Sequence, residues 1–543
     1  MYDYSIFRII NHQLSFEIVH SSSSSSFKLL ITLIFIIINN QFIIVTKTSP
    51  LSLSSSSSSS ASASSSSNAI VLSSPRRSSP MNISPQIWLS ISSKPYRRLV
   101  LNWHHIDRRD LYSSWIALYD VEPTTSNFDY NFIERIFPIT TTGKHITAKS
   151  YEYFSFESAF FNDKNKRYLN DFLRSGNGSA LTKLSSSLWS GCIKYWIAYI
   201  QYNRRIVVKK CLRTRPRWME HSMPFIGHRS ILELALPGTH NAASYEISGK
   251  MNFPRLDKYI YCQDESVWNQ LIYGIRFLDL RLAYDNEQKN ERDRVWIAHG
   301  MVKVDILLVD VLEQVLAFLL STHQEIIILD FHRFEDGLQE SLPDIDERHS
   351  IIERLINDYL GSFLIPVDIG WNRPLRELIA MNKRVYIGYA RDHRNRQFFH
   401  TNALHVWAGS DDPGILFRHL NDRSCRSPST PYPVSLMGAL TPKFFGLLRD
   451  KYDGLRSLAE QINHDLSVNV FDEWWQCMNV LCTDYFLGNN IIEYTIEANL
   501  WREKNRQKHL QQQQQQQTTS LPAVPYYQKD VNNNNIMLNL SKL

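Results

Sequence analysis

Residues Trp218 to Trp501 alternate between short apolar runs and longer stretches with helical periodicity. The short runs are rich in β-branched and aromatic residues, which is typical of buried strands. They are ILELAL, RFLDLRL, VWIAH, EIIILDF, RVYIGYA, ALHVWA, VSLMGAL and MNVLCTDYF. Stretches such as RHSIIERLINDYL between them have the spacing of amphipathic helices. The alternation predicts an α/β fold over residues 216–505, a distorted TIM-type (β/α)8 barrel.

A different pattern precedes the predicted barrel. From Pro85 to Leu212, apolar and polar residues alternate with the period of half-buried strands, and turn residues separate the runs. This pattern predicts a small all-β, sandwich-like domain over residues 85–215, either a binding module or a structural appendage. Its last part, Arg204 to Arg217, holds seven Lys or Arg and no acidic residue. This basic stretch is either a membrane-facing surface or a solvated strand edge.

The two ends of the chain have the composition of unfolded segments. Residues 1–84 contain an apolar run, Phe27 to Val45, followed by a serine-rich region with too little apolar surface to fold. The apolar run resembles a signal or anchor segment and predicts a secreted or membrane-associated protein. If residues 1–80 are instead an artefact of the gene model, a cytoplasmic location is expected. Residues 506–543 are rich in Gln and Asn, and we predict a disordered tail.

Charge and cysteine content narrow the possible functions. The formal net charge of +6 is spread over 543 residues, and no nucleic-acid-binding motif is present, so we expect no nucleic-acid partner. The six cysteines include no CxxC pair, which argues against a zinc knuckle but is compatible with disulfides. Neither a dinucleotide nor a P-loop motif follows any predicted strand. We therefore predict no cofactor, and the oligomeric state is left open.

Polar residues stand at the ends of five predicted strands. In an α/β barrel the strand ends converge on one mouth, where the chemistry takes place. Taken singly, each residue has an ordinary structural role, such as an ion pair, a core histidine or a helix cap. Their shared position on one side of the barrel favours a functional site. They are His240 and Asn241, Asp279 and Arg281, His299, Asp330 and His332, and Asp484.

Two histidines and one arginine suit phosphoryl transfer with general acid–base catalysis. A neutral histidine takes a proton from a hydroxyl nucleophile, and a protonated histidine gives one to the leaving oxygen. The arginine stabilises charge that develops on the phosphoryl oxygens. A carboxylate behind the basic histidine would hold its tautomer.

These residues resemble the X domain of phosphatidylinositol-specific phospholipase C (PI-PLC). The matching stretches are LALPGTHNAASY, LIYGIRFLDLRLAY, VWIAHG, EIIILDFHRF and VLCTDYFLGNNIIEYTIEANL, in the family's order. The pattern is most similar to the animal branch that consists of the X domain alone, including arthropod members with a preceding β-rich segment. The resemblance implies a phosphoric diester hydrolase that acts on phosphatidylinositol-like lipids at a membrane surface. In this family the inositol 2-hydroxyl attacks phosphorus, diacylglycerol leaves and a cyclic inositol phosphate forms.

The resemblance also implies roles for the predicted site residues. His240 corresponds to the general base, His299 to the general acid, and Asp484 to the carboxylate that orients the base. Arg281 corresponds to the phosphate-binding arginine of the bacterial enzymes, and Asp279 to the carboxylate that precedes it.

The residues at two positions predict a site that works without a metal ion. Calcium-dependent relatives carry an acidic residue where this chain has Arg281, and a carboxylate where it has His332. A guanidinium cannot ligate Ca²⁺ but can replace its charge.

One position departs from the bacterial pattern. Bacterial enzymes carry Asp directly after the basic histidine, where it partners the acid, whereas this chain has Asn241. Either the acid is weaker here, or Asp330 supplies the missing charge. We expect Asn241, Asp330 and His332 to contact the substrate.

Three functions therefore remain open from the sequence. The first is an active, calcium-independent phospholipase C-type enzyme. The second is a catalytically weak protein that binds an inositol phosphate or a lipid headgroup. The third is a different barrel phosphodiesterase that depends on metal, such as a glycerophosphodiesterase, although Asn241 argues against the acidic ligands that this class requires.

Overall fold

The computed structural model describes residues 84–126, 132–151, 191–202, 205–245, 257–300, 302–425 and 430–519. The predicted signal or anchor segment and the serine-rich region lie outside the described residues. Among the residues that are described, no helix has both the length and the apolar character needed to cross a membrane.

The N-terminal β-rich segment forms two antiparallel sheets. The first has the order β1-β2-β5, and the second has the order β4-β3-β6-β7. Buried side chains from both, including Ile87 and Leu99 from the first and Ile116 and Ile197 from the second, belong to one apolar core. The strands are β1 Gln86–Ile91, β2 Arg98–His104, β3 Trp115–Tyr119, β4 Phe132–Ile136, β5 Gly143–Ser150, β6 Cys192–Ile200 and β7 Ile206–Arg213. The sandwich-like arrangement predicted from the alternating pattern is confirmed.

The β-rich segment packs directly on the α/β part of the chain. Its apolar core is continuous with the core of that part, as Leu271 and Leu316 belong to the same cluster of buried residues. Polar contacts reinforce the packing: Arg97 pairs with Glu265 at 2.6 Å, and the hydroxyls of Tyr151 and Tyr273 are 2.8 Å apart. The segment is therefore held in place by both apolar and charged contacts.

Part of the basic stretch takes part in these contacts. Lys210 pairs with Glu497 at 3.4 Å, and Arg215 donates two hydrogen bonds to Glu493. Lys209 pairs with Glu122 within the β-rich segment at 2.7 Å. These cations have intramolecular partners, which favours a structural role for this stretch over a membrane-facing one.

The second part of the chain is a curled parallel sheet with helices. Eight strands of the described chain run parallel in the order β14-β13-β12-β9-β8-β17-β16-β15, and a hairpin of β10 and β11 pairs with β9. The parallel strands are β8 Leu236–Thr239, β9 Phe277–Tyr284, β12 Ile327–Phe334, β13 Val385–Tyr389, β14 Phe399–His400, β15 Leu404–Val406, β16 Val434–Gly438 and β17 Val480–Thr483, and the hairpin consists of β10 Val295–His299 and β11 Val302–Leu307. The predicted fold class, a distorted α/β barrel after an all-β segment, is confirmed.

The helices connect these strands. They are α1 Trp218–Ile226, α2 Val267–Tyr273, α3 Leu308–Ser321, α4 Ile345–Leu360, α5 Leu375–Ala380, α6 Pro413–Ser424, α7 Phe444–Leu448, α8 Leu455–Asp472 and α9 Ile491–Thr519. Helix α9 continues into the region that was predicted to be disordered from residue 506. Gln has a good intrinsic helix propensity, so a glutamine run can extend an existing helix. Residues 520–543 lie outside the described residues.

Two predicted strands differ from the structure. VWIAH was expected to be a barrel strand, but β10 is antiparallel to β9 and belongs to the hairpin. The eighth parallel strand is instead the two-residue β14, which is too short to show a periodic pattern. In ILELAL, residues 231–233 form a 3-10 turn, and β8 begins only at Leu236 and runs through Pro237 and Gly238.

Two disulfides cross-link the chain. Cys192–Cys211 joins β6 to β7, and Cys425–Cys477 joins the segment after α6 to the one that follows α8. Cys262 and Cys482 are buried thiols.

Candidate active site

His240 lies directly after β8 and is held from both sides of its ring. Its Nδ1 is 2.7 Å from Oδ1 of Asp484, and its Nε2 is 2.7 Å from a terminal nitrogen of Arg281. Because a guanidinium can only donate, Nε2 of His240 must accept, so the proton of the neutral ring is on Nδ1 and is donated to Asp484. The structure thus brings three of the predicted residues together and defines one tautomer.

The backbone around His240 explains the sequence LPGTHN. A side chain at Gly238 would place its Cβ 2.6 Å from Sγ of Cys482, so glycine permits close packing of β8 against β17. The backbone of Asn241, the residue after His240, is left-handed, with φ of 43°. Asparagine tolerates this region better than most residues do. Gln263 then holds the corner, since its side-chain amide donates to the carbonyl oxygens of His240 and Thr483.

Asp279 and Arg281 lie on the same face of β9, as alternation along the strand predicts. Oδ2 of Asp279 accepts a hydrogen bond from the backbone nitrogen of Asn241 at 2.9 Å, and Oδ1 is 2.5 Å from Nδ1 of His332. Burial alone would raise the pKa of Asp279, but the neighbouring His332 and Arg281 hold this pKa well below its usual range. Asp279 is therefore a carboxylate that supports the backbone after His240.

His299 faces His240 from the hairpin. The two ring centroids are 6.2 Å apart and the rings are nearly perpendicular, at 88°. Nδ1 of His299 donates to the carbonyl oxygen of Ile260 at 2.5 Å, which leaves Nε2 as its basic nitrogen. Burial, together with the positive charge of Arg281 and the nearby His240, lowers the pKa of His299 to about 3. His299 is consequently neutral near pH 7 in this state.

Asp330 does not supply the charge that Asn241 lacks. Its Oδ2 is 2.7 Å from Nε2 of His405, and its Oδ1 accepts from the backbone nitrogen of Ala403 at 2.8 Å. Both carboxylate oxygens are thus engaged away from His299, and the expectation that Asp330 partners His299 is wrong. The reason is that Asp330 precedes the end of β12 and its side chain packs toward β15.

His405, Gln263 and Trp407 contribute to the site but were missed from the sequence. Burial lowers the pKa of His405, but the hydrogen bond and charge of Asp330 outweigh it and raise this pKa above its ordinary value. Trp407 packs near His240, with ring centroids 5.0 Å apart. The sequence contained one indication of this role. His405 and Trp407 lie two residues apart in the predicted strand ALHVWA, so alternation along the strand places them on the same face.

Two groups of side chains near the mouth contain ligand types that metals use. Asp279, His332 and His405 have ligand atoms within 4.8 Å of one another, as do His240, Cys262 and Asp484. His332 and His405 stack with centroids 4.1 Å apart. The Arg281 guanidinium contacts His240 directly and adds a positive charge to this region. This charge opposes the binding of a metal ion nearby.

An exposed apolar surface follows β16 at the end of the sheet where the predicted site residues lie. Helix α7 exposes 72% of Phe445 and 52% of Leu448. Two basic residues at the ends of this helix are also exposed: Arg449, and Lys443, which pairs with Asp411 at 3.0 Å. Exposed apolar side chains next to a basic one, on the segment that follows the carboxyl end of β16, are suited to a lipid surface.

The chain is similar in sequence to proteins that are named for the PI-PLC X domain. No family model matches the chain. PI-PLC X domain-containing protein 1 of Danio rerio is 23% identical over 320 residues, which cover 52% of this chain and 96% of the relative. The variant-surface-glycoprotein phospholipase C of Trypanosoma cruzi is 31% identical over 192 residues, 31% of this chain and 47% of the relative. Among solved structures, the phosphatidylinositol-specific phospholipase C from Listeria monocytogenes has a TM-score of 0.40 and 20% identity, covering 52% of this chain and 98% of that one.

Proposed function

We propose that this chain, a homologue of the PI-PLC X domain-containing proteins, is a phosphodiesterase that cleaves phosphatidylinositol-type lipids. The observation that carries the proposal is the position of His240 between a carboxylate and a guanidinium, with Asp484 and Arg281 each 2.7 Å from one ring nitrogen. This arrangement provides a base with a defined tautomer beside a group that binds phosphate.

In the proposed reaction, the inositol 2-hydroxyl attacks phosphorus and its proton passes to Nε2 of His240. The bond between phosphorus and the glycerol oxygen breaks, and the diacylglycerol oxygen receives a proton from His299. Asp484 stabilises the imidazolium that forms at His240. The products are a cyclic inositol phosphate and diacylglycerol.

Arg281 has two successive roles in this proposal. Without substrate it donates to Nε2 of His240, the atom that must accept the hydroxyl proton. A phosphate is a stronger acceptor than a neutral imidazole, so a bound phosphodiester would draw the guanidinium away and free the base. Substrate binding and activation of His240 are thereby coupled.

We further propose that catalysis does not require Ca²⁺. Arg281 carries the positive charge that a cation would supply. Asp279, the nearby carboxylate on β9, is already engaged with Asn241 and His332. A metal-dependent glycerophosphodiesterase is disfavoured by the same contacts.

A second candidate function is supported by His299. A general acid must be protonated before it can donate, and the pKa of His299 is lowered to about 3. With Asn241 in place of a carboxylate, the site would then bind an inositol phosphate headgroup and turn it over slowly. An anionic phosphodiester beside His299 favours its protonated form, which reconciles the geometry with catalysis.

The membrane surface is proposed to be engaged through α7. Phe445 and Leu448 would enter the lipid interface, while Arg449 would contact anionic headgroups. The two disulfides support a secreted or otherwise oxidising location.

The central experiment incubates the purified full-length chain with vesicles that contain phosphatidylinositol. We expect a cyclic inositol phosphate, measured by phosphorus NMR, and a loss of roughly 10²- to 10⁴-fold in rate for His240→Gln. His323→Gln, at an exposed histidine, is the matched control and should retain the wild-type rate. Tight binding of inositol phosphate without turnover would favour the second candidate, and equal rates for His240→Gln and the wild type would refute the catalytic assignment.

Vesicle binding is tested separately by sedimentation. Replacing Phe445 and Leu448 by serine should weaken binding, whereas Phe225→Ser, at an exposed phenylalanine of α1, should not. Equal weakening by both changes would argue against a specific role for α7.

A further inference from the structure

Three metal-ligand side chains meet where the β-rich segment contacts the barrel. His104 ends β2, His105 follows it, and Asp472 ends α8. Nε2 of His104 lies 2.8 Å from Oδ2 of Asp472, and Nε2 of His105 lies 2.7 Å from Oδ1 of the same carboxylate. One carboxylate thus lies between two imidazoles that come from a different part of the chain, more than 360 residues away in sequence.

The backbone at His105 brings the two rings together. Adjacent residues of an extended strand point to opposite faces, so neighbouring histidines would normally diverge. His105 has a φ of 56°, and the two ring centroids are only 3.9 Å apart. A left-handed conformation is strained at a residue other than glycine and is retained only where the surroundings enforce it. The residue with the left-handed backbone, His105, is the one that turns the second imidazole toward Asp472.

The surroundings of the cluster suit a cation. Asp472 lies at the C-terminal end of α8, an 18-residue helix, where the helix dipole favours positive charge. Nδ1 of His104 is 3.0 Å from Oγ1 of Thr142, which orients the ring in the way that an outer hydrogen bond orients a metal-bound histidine. The side chains of His104, His105 and Asp472 are 15%, 27% and 27% exposed, so an ion and a water molecule can reach them.

We propose that His104, His105 and Asp472 form a Zn²⁺ site that links the β-rich segment to α8. Two imidazole nitrogens and one carboxylate oxygen provide three of the four ligands that Zn²⁺ prefers, and water completes the tetrahedron. The ligand atoms already lie within 4.8 Å of one another. This donor set selects Zn²⁺ over Ca²⁺ and Mg²⁺, which require more oxygen ligands. The site is independent of the proposed catalysis, because the catalytic pair of His240 and His299 is held by other residues.

The test measures binding of Zn²⁺ to the metal-stripped full-length chain by calorimetry, and thermal unfolding with and without the ion. We expect the wild type to bind one more Zn²⁺ than the variant His104→Gln/His105→Gln. A saturating concentration of Zn²⁺ should raise the melting temperature of the wild type by about 3 °C or more. The same concentration of Mg²⁺ or Ca²⁺ should not reproduce the shift.

Controls separate this site from other zinc-binding groups. His145→Gln removes a histidine that also pairs with a carboxylate, Glu134, in the same β-rich segment, and this variant should bind Zn²⁺ as the wild type does. Any ion bound at the barrel mouth is present in both the wild type and the double variant. It therefore cancels when the two stoichiometries are compared.

Asp472→Asn provides a second route if the double variant fails to fold, because it preserves the size of the side chain. This variant should lose the same single Zn²⁺. Equal stoichiometry and an equal shift in melting temperature for the wild type and a folded variant would overturn the proposal.

Discussion

Replacing Asp484 with Asn tests the central contact of the proposed site. Asp484 accepts a hydrogen bond from Nδ1 of His240 at 2.7 Å, and each side chain is only 6% exposed. The substitution retains the shape of the side chain and removes its charge. In the proposed reaction His240 becomes an imidazolium when it takes the hydroxyl proton, so the lost charge matters most in the transition state.

The magnitude follows from Coulomb's law at this separation. With charge centres roughly 4 Å apart and an effective dielectric constant of about 20, the ion pair contributes about 4 kcal/mol. Since about 1.4 kcal/mol corresponds to a tenfold change in rate, kcat should fall about 10³-fold. The Asn amide can also donate to Nδ1 of His240, which would move the ring proton to Nε2, where Arg281 already donates. This wrong tautomer would increase the loss toward about 10⁴-fold.

The assay is the initial rate of cyclic inositol phosphate formation over a range of lipid concentrations, with circular dichroism as the test of folding. We expect kcat to fall with little change in KM, because Asp484 acts through His240 rather than on the lipid. Glu134→Gln is the control, since Glu134 also pairs with a histidine but lies on β4, and it should leave kcat unchanged. A folded Asp484→Asn variant with kcat within tenfold of the wild type would refute the reasoning.

Three further outcomes follow from the structure. Activity should persist in excess EGTA, and Arg281→Gln should reduce kcat by about 10²- to 10³-fold; loss of wild-type activity in EGTA with recovery in Ca²⁺ would contradict the assigned role of Arg281. The folded state depresses the pKa of His299 from 6.5 to about 3, so its contribution to stability is present above pH 6.5 and is lost as the pH falls toward 3. In urea unfolding between pH 6 and 4, His299→Gln should therefore reduce the pH dependence of the unfolding free energy by about 1.4 kcal/mol per pH unit, and an unchanged slope would contradict the burial of a neutral ring. A Cβ at Gly388 would lie 2.1 Å from Oδ1 of Asp330, so Gly388→Ala should destabilise the protein by about 1–3 kcal/mol, and an unchanged melting temperature would show that Asp330 can move.

Residue patterns within single segments were sufficient to predict much of this protein. The alternation of apolar runs and amphipathic helices predicted the α/β barrel. In the segment before the barrel, the residue-by-residue alternation of apolar and polar side chains predicted the antiparallel sheets. The ends of β8, β9 and β17 were visible as polar residues after apolar runs, so His240, Arg281 and Asp484 were predicted correctly as neighbours. Such features are local, because period and strand length depend on which faces of one element are buried.

Other features were decided only by tertiary structure. VWIAH has the composition of a barrel strand, yet it pairs antiparallel with β9, since strand direction depends on the partner and not on the run itself. The partner of Asp330 could not be read from its neighbours in sequence, because His405 reaches it from a strand 75 residues later. The basic stretch shows the same dependence: Lys210 and Arg215 meet glutamates of α9 that the sequence does not identify as partners. Hydrogen bonds and charges act through space over a few ångströms, so only the packed chain determines which groups are close enough to interact.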